Sequence, residues 1–253
     1  MHRCFISPES WNEPEVKPAP CELHHLLHVM RARNGDRVGV FDGCGGDGSA
    51  EVVVRGEDDV VLKILARQEA GLEMARIVLI QAVPKGRRMD LVVEKATELG
   101  ACSIWPVITE RVVMRLNERK RLERAERWRR VALSAVRQSG GARVPDILPV
   151  ADYAEALARA ASFDLLLIAA LDPRAANLRS VLDAGRGAVP RGRGPGIALL
   201  VGPEGDFTPG EVTAAVRAGA RVVDFGGRVL RSETAALYGL SVLAYEFGAG
   251  RSP

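Results

Sequence analysis

The distribution of apolar residues along the chain changes near residue 72. Before this point, short β-rich runs alternate with turn-like segments, including the glycine-rich segment 43–48. The β-rich runs are residues 37–43, 50–56 and 60–66. Residues 21–36 have the apolar spacing of a helix that closes at Asn34-Gly35. Several short strands with one helix predict a small β-barrel domain over residues 1–72.

From about residue 76, strand-like apolar runs alternate with helix-like runs. The strand-like runs are 77–83, 103–108, 164–171, 196–202 and 221–226. The helix-like runs are 89–100, 121–139, 152–161, 208–219 and 233–248. Apolar strands that alternate with helices predict an α/β domain over residues 73–253, built on a parallel sheet with helices on both faces. The domain boundary is predicted near Gly71-Leu72, and residues 183–196 are predicted to be a flexible basic connection.

Two of the predicted helices carry a capping pattern in their first turn. Asp152 and Glu155 form a D-x-x-E pattern, and Thr208 and Glu211 form a T-x-x-E pattern with Pro209 after the threonine. Both patterns predict helix starts in which the side chains satisfy free backbone N–H groups.

Composition places the chain among globular proteins. Of the 253 residues, 47% are hydrophobic and 26% are charged, a balance that excludes a fully disordered chain. The sequence contains no run of about 18 uncharged apolar residues, so no membrane-spanning helix is predicted. The first 15 residues lack the apolar core of a secretory signal, so we expect a cytoplasmic protein.

The net charge of +3 is divided unevenly along the chain. Residues 1–72 carry a net charge of −4, whereas residues 73–253 carry +7, and the densest basic stretch is 111–143. This asymmetry favours an anionic partner for the C-terminal part.

Several common kinds of site are not expected. The four cysteines, Cys4, Cys21, Cys44 and Cys102, are scattered without a C-x-x-C pair, so neither zinc nor a disulfide framework is predicted. The histidines His24, His25 and His28 lack acidic partners at matching spacing, and no metal is expected. The chain also lacks the P-loop, the dinucleotide-binding glycine motif and the G-x-S-x-G nucleophile elbow.

The ends of two predicted strands carry unusual residues. Residues 199–211 place Gly202 and Gly205 where a backbone could approach a ligand closely, although a tight turn would explain them equally well. Residues 224–236 place two arginines and a glutamate at a junction between strand and helix, where a capped helix start is the simpler alternative. Because parallel sheets bind ligands at the carboxyl ends of their strands, we expect a site there.

Five stretches of the chain occur in a fixed order. They are HHLLHVMRARNGDRVGVFDG, KGRRMDLVVEKATELGACSIWPVITERV, RWRRVALSAVRQSGGARVPDI, LLVGPEGDFTPGEV and GGRVLRSETAALYGL. Together they resemble the RsmE family of bacterial 16S rRNA (uracil-N3)-methyltransferases, within the SPOUT superfamily, and the match extends over nearly the whole chain. The specificity lies in the order of all five, since a single piece such as GPEG is only moderately specific.

The resemblance implies a fold, a cofactor and partners. It implies a PUA-like N-terminal barrel and a C-terminal α/β domain with a deep trefoil knot that binds S-adenosyl-L-methionine. It also implies a homodimer that methylates N3 of a uridine in the 16S rRNA of the small (30S) ribosomal subunit. No metal and no membrane are implied.

The resemblance implies the cofactor-binding residues, and the chemistry that the reaction and RNA binding require suggests the catalytic and RNA-binding candidates. The cofactor-binding set is Leu171, Leu200, Val201, Gly202, Pro203, Glu204, Gly205, Phe225, Gly226 and Leu230. Arg231 is the candidate that stabilises the developing uracil anion, Glu233 the candidate that takes the N3 proton, and Arg228 a positioning residue. The RNA-binding candidates are Arg3, Arg31, Arg33, Lys85, Arg87, Arg88 and Arg143. Lys85, Arg87 and Arg88 lie at a predicted helix start, where cations are unfavourable without an anionic partner.

The chain departs from the family pattern at two positions. Asp206 stands where members usually have a second glycine after GPEG, and Gly141 stands where they usually carry arginine, with Arg143 two residues later.

Other functions remain open on the residues alone. The chain could be another SPOUT methyltransferase that acts on tRNA or on a ribose hydroxyl. A non-catalytic RNA-binding factor for ribosome assembly would share the basic charge. A small-molecule α/β enzyme is disfavoured by the missing nucleotide motifs.

Overall fold

A computed structural model describes residues 2–56, 59–69, 75–112, 117–185 and 194–248. The chain folds as two units. Unit 1 comprises Met1–Gly71 with Leu133–Val144, and unit 2 comprises Leu72–Ala132 with Pro145–Pro253. The predicted boundary at Gly71-Leu72 lies outside the described residues, as does the 186–193 part of the predicted flexible connection.

Unit 1 contains a five-stranded sheet. Its strands are β1 (Arg3–Phe5), β2 (Glu15–Val16), β3 (Arg37–Phe41), β4 (Gly46–Val54) and β5 (Val60–Glu69). They lie in the order β1-β3-β4-β5-β2, and all neighbours are antiparallel except the parallel pair β1 and β3. The three β-rich runs of the sequence are all strands, and their buried residues form the core of this unit together with Leu26.

Strand β4 begins inside the segment that was predicted to be a turn. A Cβ on Gly46 would lie 2.6 Å from the ring of Trp11, and one on Gly48 would lie 2.4 Å from the carbonyl oxygen of Ala66. Gly46 therefore leaves room for the Trp11 ring and Gly48 for the backbone of β5, and the turn is confined to the residues before them. The carboxylate of Asp42 closes that turn by accepting the N–H groups of Cys44, Gly45 and Gly46 at 2.7–3.0 Å.

The helix of unit 1 is shorter than its apolar spacing predicted. Helix α1 (Pro20–His24) continues as a π-helical turn over His25–Val29, and Arg31 then takes a left-handed backbone with φ of 52°. That conformation ends the helix, because it cannot continue the regular backbone hydrogen bonds.

Residues 133–144 belong to unit 1 through specific contacts. They include the last turns of helix α3 (Glu118–Ser139). The fully buried carboxylate of Glu22 accepts a hydrogen bond from the Arg137 guanidinium. The Arg3 guanidinium donates to Asp47 and to the carbonyl oxygen of Gly141, both at 2.8 Å.

Unit 2 is an α/β unit with a parallel sheet. The strands are β6 (Arg76–Ala82), β7 (Ser103–Ile108), β8 (Asp146–Ile147), β9 (Ala151–Asp152), β10 (Leu165–Ala169), β11 (Ala176–Asn177), β12 (Gly196–Val201) and β13 (Arg221–Asp224). Their order is β11-β13-β10-β12-β6-β7-β8, with β9 also paired to β7, and every pairing is parallel. The parallel sheet predicted from the alternating pattern is therefore confirmed. The two-residue strands β8, β9 and β11 are too short to leave a pattern in the sequence.

Helices surround this sheet. They are α2 (Arg88–Glu98), the first part of α3, α4 (Tyr153–Ala160), α5 (Leu178–Gly185), α6 (Pro209–Arg217) and α7 (Ser232–Phe247). Thr208 and Glu211 form the predicted reciprocal cap of α6. Asp152 is the N-cap residue of α4, as predicted, but its carboxylate pairs with Arg121 at 2.9 Å and makes no cap bond. Within the described ranges, no helix is long and apolar enough to cross a membrane.

Candidate active site

A cavity of about 290 Å³ opens at the carboxyl ends of β10, β12 and β13. Three segments that follow these strands form its wall, joined by the first residues of α7. The lining residues are Ala169, Ala170, Leu171, Val201, Gly202, Pro203, Glu204, Asp206, Val223, Asp224, Phe225, Gly226, Arg228, Val229, Leu230, Arg231, Ser232 and Ala235. This position at the strand ends is the one that parallel α/β sheets use for ligands.

Part of the cavity wall is apolar and exposed. The side chain of Leu171 is 67% exposed and that of Val229 is 76% exposed, although both border the cavity. Large apolar side chains left open at a concave site are suited to a ligand with a flat apolar face.

The loop 202–207 is fastened at its ends by hydrogen bonds. The Ser232 hydroxyl donates to the carbonyl oxygen of Gly202 at 2.5 Å and accepts from Gln81 Nε2 at 2.9 Å. On the other side, the Arg111 guanidinium donates to the carbonyl oxygen of Gly205 at 2.5 Å. Gln81 is fully buried, so its amide anchors the Gly202 end of the loop to the sheet.

Two carboxylates share the guanidinium of Arg88. Glu204 Oε1 accepts from Arg88 at 2.6 Å and from the backbone N–H of Lys85 at 3.0 Å, and Glu233 Oε1 lies 3.7 Å from Arg88 Nε. Partial burial opposes ionisation of Glu204, but backbone N–H groups and Arg88 outweigh it and hold the pKa of Glu204 below its usual range. Glu233 Oε2 is buried and has no hydrogen-bond partner among the described residues.

Arg228 and Arg231 differ from Arg88. Both are exposed side chains on the cavity wall, and neither forms a salt bridge with any residue that the structure describes. Their positive charges therefore lie on the cavity wall, and no carboxylate among the described residues pairs with them.

The structure brings most of the predicted cofactor residues to one wall. Leu200 is instead buried in the core of the sheet, and Gly205 faces the side chain of Arg111. Of the catalytic candidates, Arg228 and Arg231 line the cavity, whereas Glu233 lies next to the lining residue Ser232.

The RNA-binding candidates are divided between the units. Lys85, Arg87 and Arg88 lie at the start of α2 in unit 2, while Arg3, Arg31, Arg33 and Arg143 belong to unit 1. Arg31, Arg33 and Arg143 are exposed. Arg3 is mostly buried and bonded to Asp47, with its guanidinium 5.2 Å from the centre of the Phe41 ring.

Several site residues were not predicted from the sequence. Asp206, Asp224 and Val229 line the cavity, and Gln81 supports it. A polar residue inside the apolar run 77–83 was the available signal for Gln81. Ser232 is the first residue of α7, and its hydroxyl bonds the carbonyl oxygen of Gly202. The described residues hold no group of three metal-ligating side chains, although the rings of His24 and His28 are 4.7 Å apart.

Comparison with known proteins shows what this arrangement is similar to. Residues 72–244 match the family described as RNA methyltransferase domain, and residues 22–65 match the RNA methyltransferase PUA domain. A crystal structure of ribosomal RNA small subunit methyltransferase E from Neisseria gonorrhoeae, bound to S-adenosyl methionine, is 31% identical with a TM-score of 0.84. The match covers 98% of each chain. The chain belongs to the methyltransferase E family.

A further relative and a further solved structure are similar over nearly the same length. Ribosomal RNA small subunit methyltransferase E from Bacillus subtilis is 29% identical over 97% of each chain. The structure of a Legionella pneumophila methyltransferase in complex with its cofactor SAM is 28% identical, with a TM-score of 0.84 over 96% of this chain and 97% of that one. The resemblance drawn from the five sequence stretches is confirmed.

Proposed function

We propose that this protein methylates N3 of a uridine in the 16S rRNA of the small ribosomal subunit, in the cytoplasm, with S-adenosyl-L-methionine as the methyl donor. Membership of the methyltransferase E family makes the chain an S-adenosylmethionine-dependent rRNA methyltransferase. The observation that carries the finer proposal is the cavity itself, where an exposed apolar wall adjoins two arginines without salt-bridge partners among the described residues.

The residues of the cavity fit the cofactor. S-adenosylmethionine has a flat adenine, ribose hydroxyls and a charged methionine end. Leu171, Val229 and Leu230 offer apolar surface to the adenine, and the backbone around Gly202 and Gly226 can approach the ribose. The carboxylate of Asp224, also on the wall, can accept hydrogen bonds from hydroxyl or amino groups. Leu200 and Gly205, which were expected in this set, would act from behind the wall.

The proposed reaction requires orientation and charge stabilisation. When bound, the cofactor would supply a methyl group on a sulfonium, and transfer of that group to N3 would leave a neutral thioether. N3 of uracil must first lose its proton, and the negative charge then spreads over O2 and O4. Arg231 would stabilise that charge, since hydrogen-bond donors aimed at developing charge lower the barrier. Arg228 would position the base, since correct orientation supplies much of the rate in a displacement.

Glu233 is the proposed proton acceptor. Its Oε2 atom is buried without a hydrogen-bond partner among the described residues, and it lies in the first turn of α7 beside Ser232. The nearby Arg88 guanidinium keeps the other oxygen occupied. If Glu233 takes the proton, Glu233→Gln should lower the single-turnover rate by about 10²–10⁴-fold. An unchanged rate would contradict the role.

RNA binding is proposed for basic residues of both units. Lys85, Arg87 and Arg88 would contact phosphates near the cavity, and the exposed Arg31, Arg33 and Arg143 would do so from unit 1. Arg3 and Arg88 are the weakest of the set, because Asp47 and Glu204 already neutralise them. A PUA-like barrel is proposed for residues 1–72, supported by the five-stranded sheet and the PUA domain match.

The order of strands supports a knotted C-terminal domain over residues 73–253. Strand β12 follows β10 in the chain but lies between β10 and β6, and β13 then pairs with the opposite edge of β10. Such an order needs long connections that pass over neighbouring strands, which is compatible with the trefoil knot that the sequence resemblance implies.

A homodimer is proposed through α7 and its surroundings. Tyr238 and Tyr245 on this helix are 45% and 87% exposed, and both line a second cavity of about 560 Å³. Exposed aromatic side chains around a concavity are typical of protein interfaces.

The direct test is nucleoside analysis of 16S rRNA by mass spectrometry. A strain that lacks the gene should lose 3-methyluridine from 16S rRNA and regain it when the gene is restored. Persistence of 3-methyluridine in the deletion strain would exclude the proposal. Loss of a tRNA or ribose modification instead would point to a different methylation target.

A further inference from the structure

Asp206 takes a backbone conformation that side chains rarely adopt. Its φ is 60°, a left-handed value, and within the described residues only Arg31 shares this property among non-glycine residues. Glycine is the residue that this conformation favours, so an aspartate here needs a compensating interaction.

The compensation lies in the carboxylate. Asp206 Oδ2 accepts the backbone N–H of Leu171 at 2.8 Å, and Oδ1 accepts the N–H of Phe207 at 2.8 Å. The first bond joins the loop after β12 to the loop after β10, and both loops line the cavity. A Cβ on Gly202 would lie 3.2 Å from Asp206 Oδ1, so the carboxylate packs closely over that glycine.

Leu171 has little else to hold it. Its side chain is 67% exposed, and packing therefore contributes little to its position. The strand hydrogen bonds end one residue earlier, where the N–H of Ala170 donates to the carbonyl oxygen of Val223 at 3.3 Å. Asp172, the next residue, is bonded to Arg174 within its own turn.

We propose that Asp206 is a positioning residue that fastens Leu171 to the 202–207 loop and so presets the cavity for its cofactor. This inference rests on the proposed function, because it assigns Leu171 to the cofactor wall. The carboxylate acts through backbone geometry and not through attraction to the positive sulfonium. A site held in its binding conformation loses less entropy when the ligand binds.

Calorimetry on the full-length protein tests this proposal with two ligands that differ in charge at sulfur. S-adenosylmethionine carries a sulfonium, and S-adenosylhomocysteine carries a neutral thioether. Asp206→Gly keeps the backbone conformation and removes both hydrogen bonds, and it should raise both dissociation constants by the same factor, roughly tenfold. Asp206→Asn keeps one acceptor oxygen, so its dissociation constants should lie between those of wild type and Asp206→Gly.

A matched control and a direct readout accompany these variants. Asp36 also accepts a backbone N–H, that of Arg33 at 2.7 Å, but lies in unit 1, so Asp36→Gly should leave both affinities unchanged. Hydrogen exchange of the Leu171 amide should accelerate in Asp206→Gly and remain slow in the control.

The possible outcomes separate the proposals. Equal affinities in Asp206→Gly and wild type, or slow exchange of the Leu171 amide in Asp206→Gly, would overturn the positioning role. Weaker binding of S-adenosylmethionine alone would also overturn it, since charge attraction would then be the cause. If wild type binds neither ligand, the proposed function fails, and the exchange of the Leu171 amide still decides whether Asp206 holds that residue.

Discussion

The arginines of unit 1 and those of the cavity in unit 2 have opposite surroundings. Arg137 donates to a fully buried carboxylate, that of Glu22, and Arg3 is bonded to Asp47. Arg228 and Arg231 line a cavity and form no salt bridge with the described residues. Arginine therefore stabilises the fold in one region and is available to a ligand in the other. The number of arginines in a sequence does not distinguish these two roles.

The largest effect is expected when the buried pair of unit 1 is broken. Arg137→Ala leaves the Glu22 carboxylate buried without its cation, and it should lower the free energy of unfolding by about 3–5 kcal/mol. Urea denaturation of the full chain measures this change.

A double variant controls for the loss of packing at the same place. Glu22→Leu with Arg137→Met replaces both charges by apolar side chains and should recover most of the lost stability. Should Arg137→Ala unfold at the same urea concentration as wild type, the pair would have no structural role.

Removal of a cavity arginine should change catalysis and leave the fold intact. Arg231→Ala should lower the single-turnover rate of methylation about 10²–10³-fold, because a donor to the developing anion is lost. Its midpoint of urea denaturation should stay at the wild-type value. Arg217→Ala, at an exposed position in the last turn of α6, is the matched control and should leave the rate unchanged. A rate loss of less than about threefold in Arg231→Ala would remove this residue from the mechanism.

Two arginines within unit 1 sharpen the comparison further. Arg33 is exposed, whereas Arg3 is bonded to Asp47. Arg33→Ala should weaken RNA binding a fewfold and reduce the slope of log affinity against log salt by about one, as expected for one lost phosphate contact. Arg3→Ala should lower stability and leave the salt slope unchanged. Binding measured across a salt series decides this, and equal slopes for Arg33→Ala and wild type would contradict the assignment.

The smallest effect is expected at Arg88, which is partly exposed and paired with Glu204. Its replacement by methionine should lower the free energy of unfolding by less than about 1 kcal/mol, as for other ion pairs near the surface. The pKa of Glu204 is lowered in the fold, so the pair stabilises the protein above the ordinary value of 4.5 and loses this contribution as the pH falls through the lowered pKa. The difference in stability between wild type and Arg88→Met should therefore be complete at neutral pH and shrink in acid. A difference that grows in acid would contradict this account.

The parallel sheet could be predicted because its strands are buried on both faces and read as continuous apolar runs. The regions around Gly202 and Arg231 could be predicted as a site because they follow such strands. The start of β4 could not, since Gly46 makes room for the Trp11 ring and Gly48 for the neighbouring strand, and both resemble turn residues in the sequence.

Contacts between distant residues also leave no local pattern. Nothing in the apolar spacing of α3 indicates that Arg137 reaches Glu22, since the two residues lie far apart in the sequence. Likewise, Asp152 has the spacing of a helix cap but is engaged by Arg121. The hydrogen bond from Leu171 to Asp206 depends on two loops that meet only in the folded sheet.

Methylation by the purified protein tests the proposed activity itself. Small ribosomal subunits from a strain that lacks the gene are incubated with the protein and S-adenosylmethionine that carries a ¹³C methyl group, and the 16S rRNA nucleosides are analysed by mass spectrometry. Wild type should produce labelled 3-methyluridine, and Arg231→Ala should produce it at about a hundredth of the wild-type rate. Label in another nucleoside or on a ribose, or no label although the protein binds the cofactor, would contradict the proposed activity.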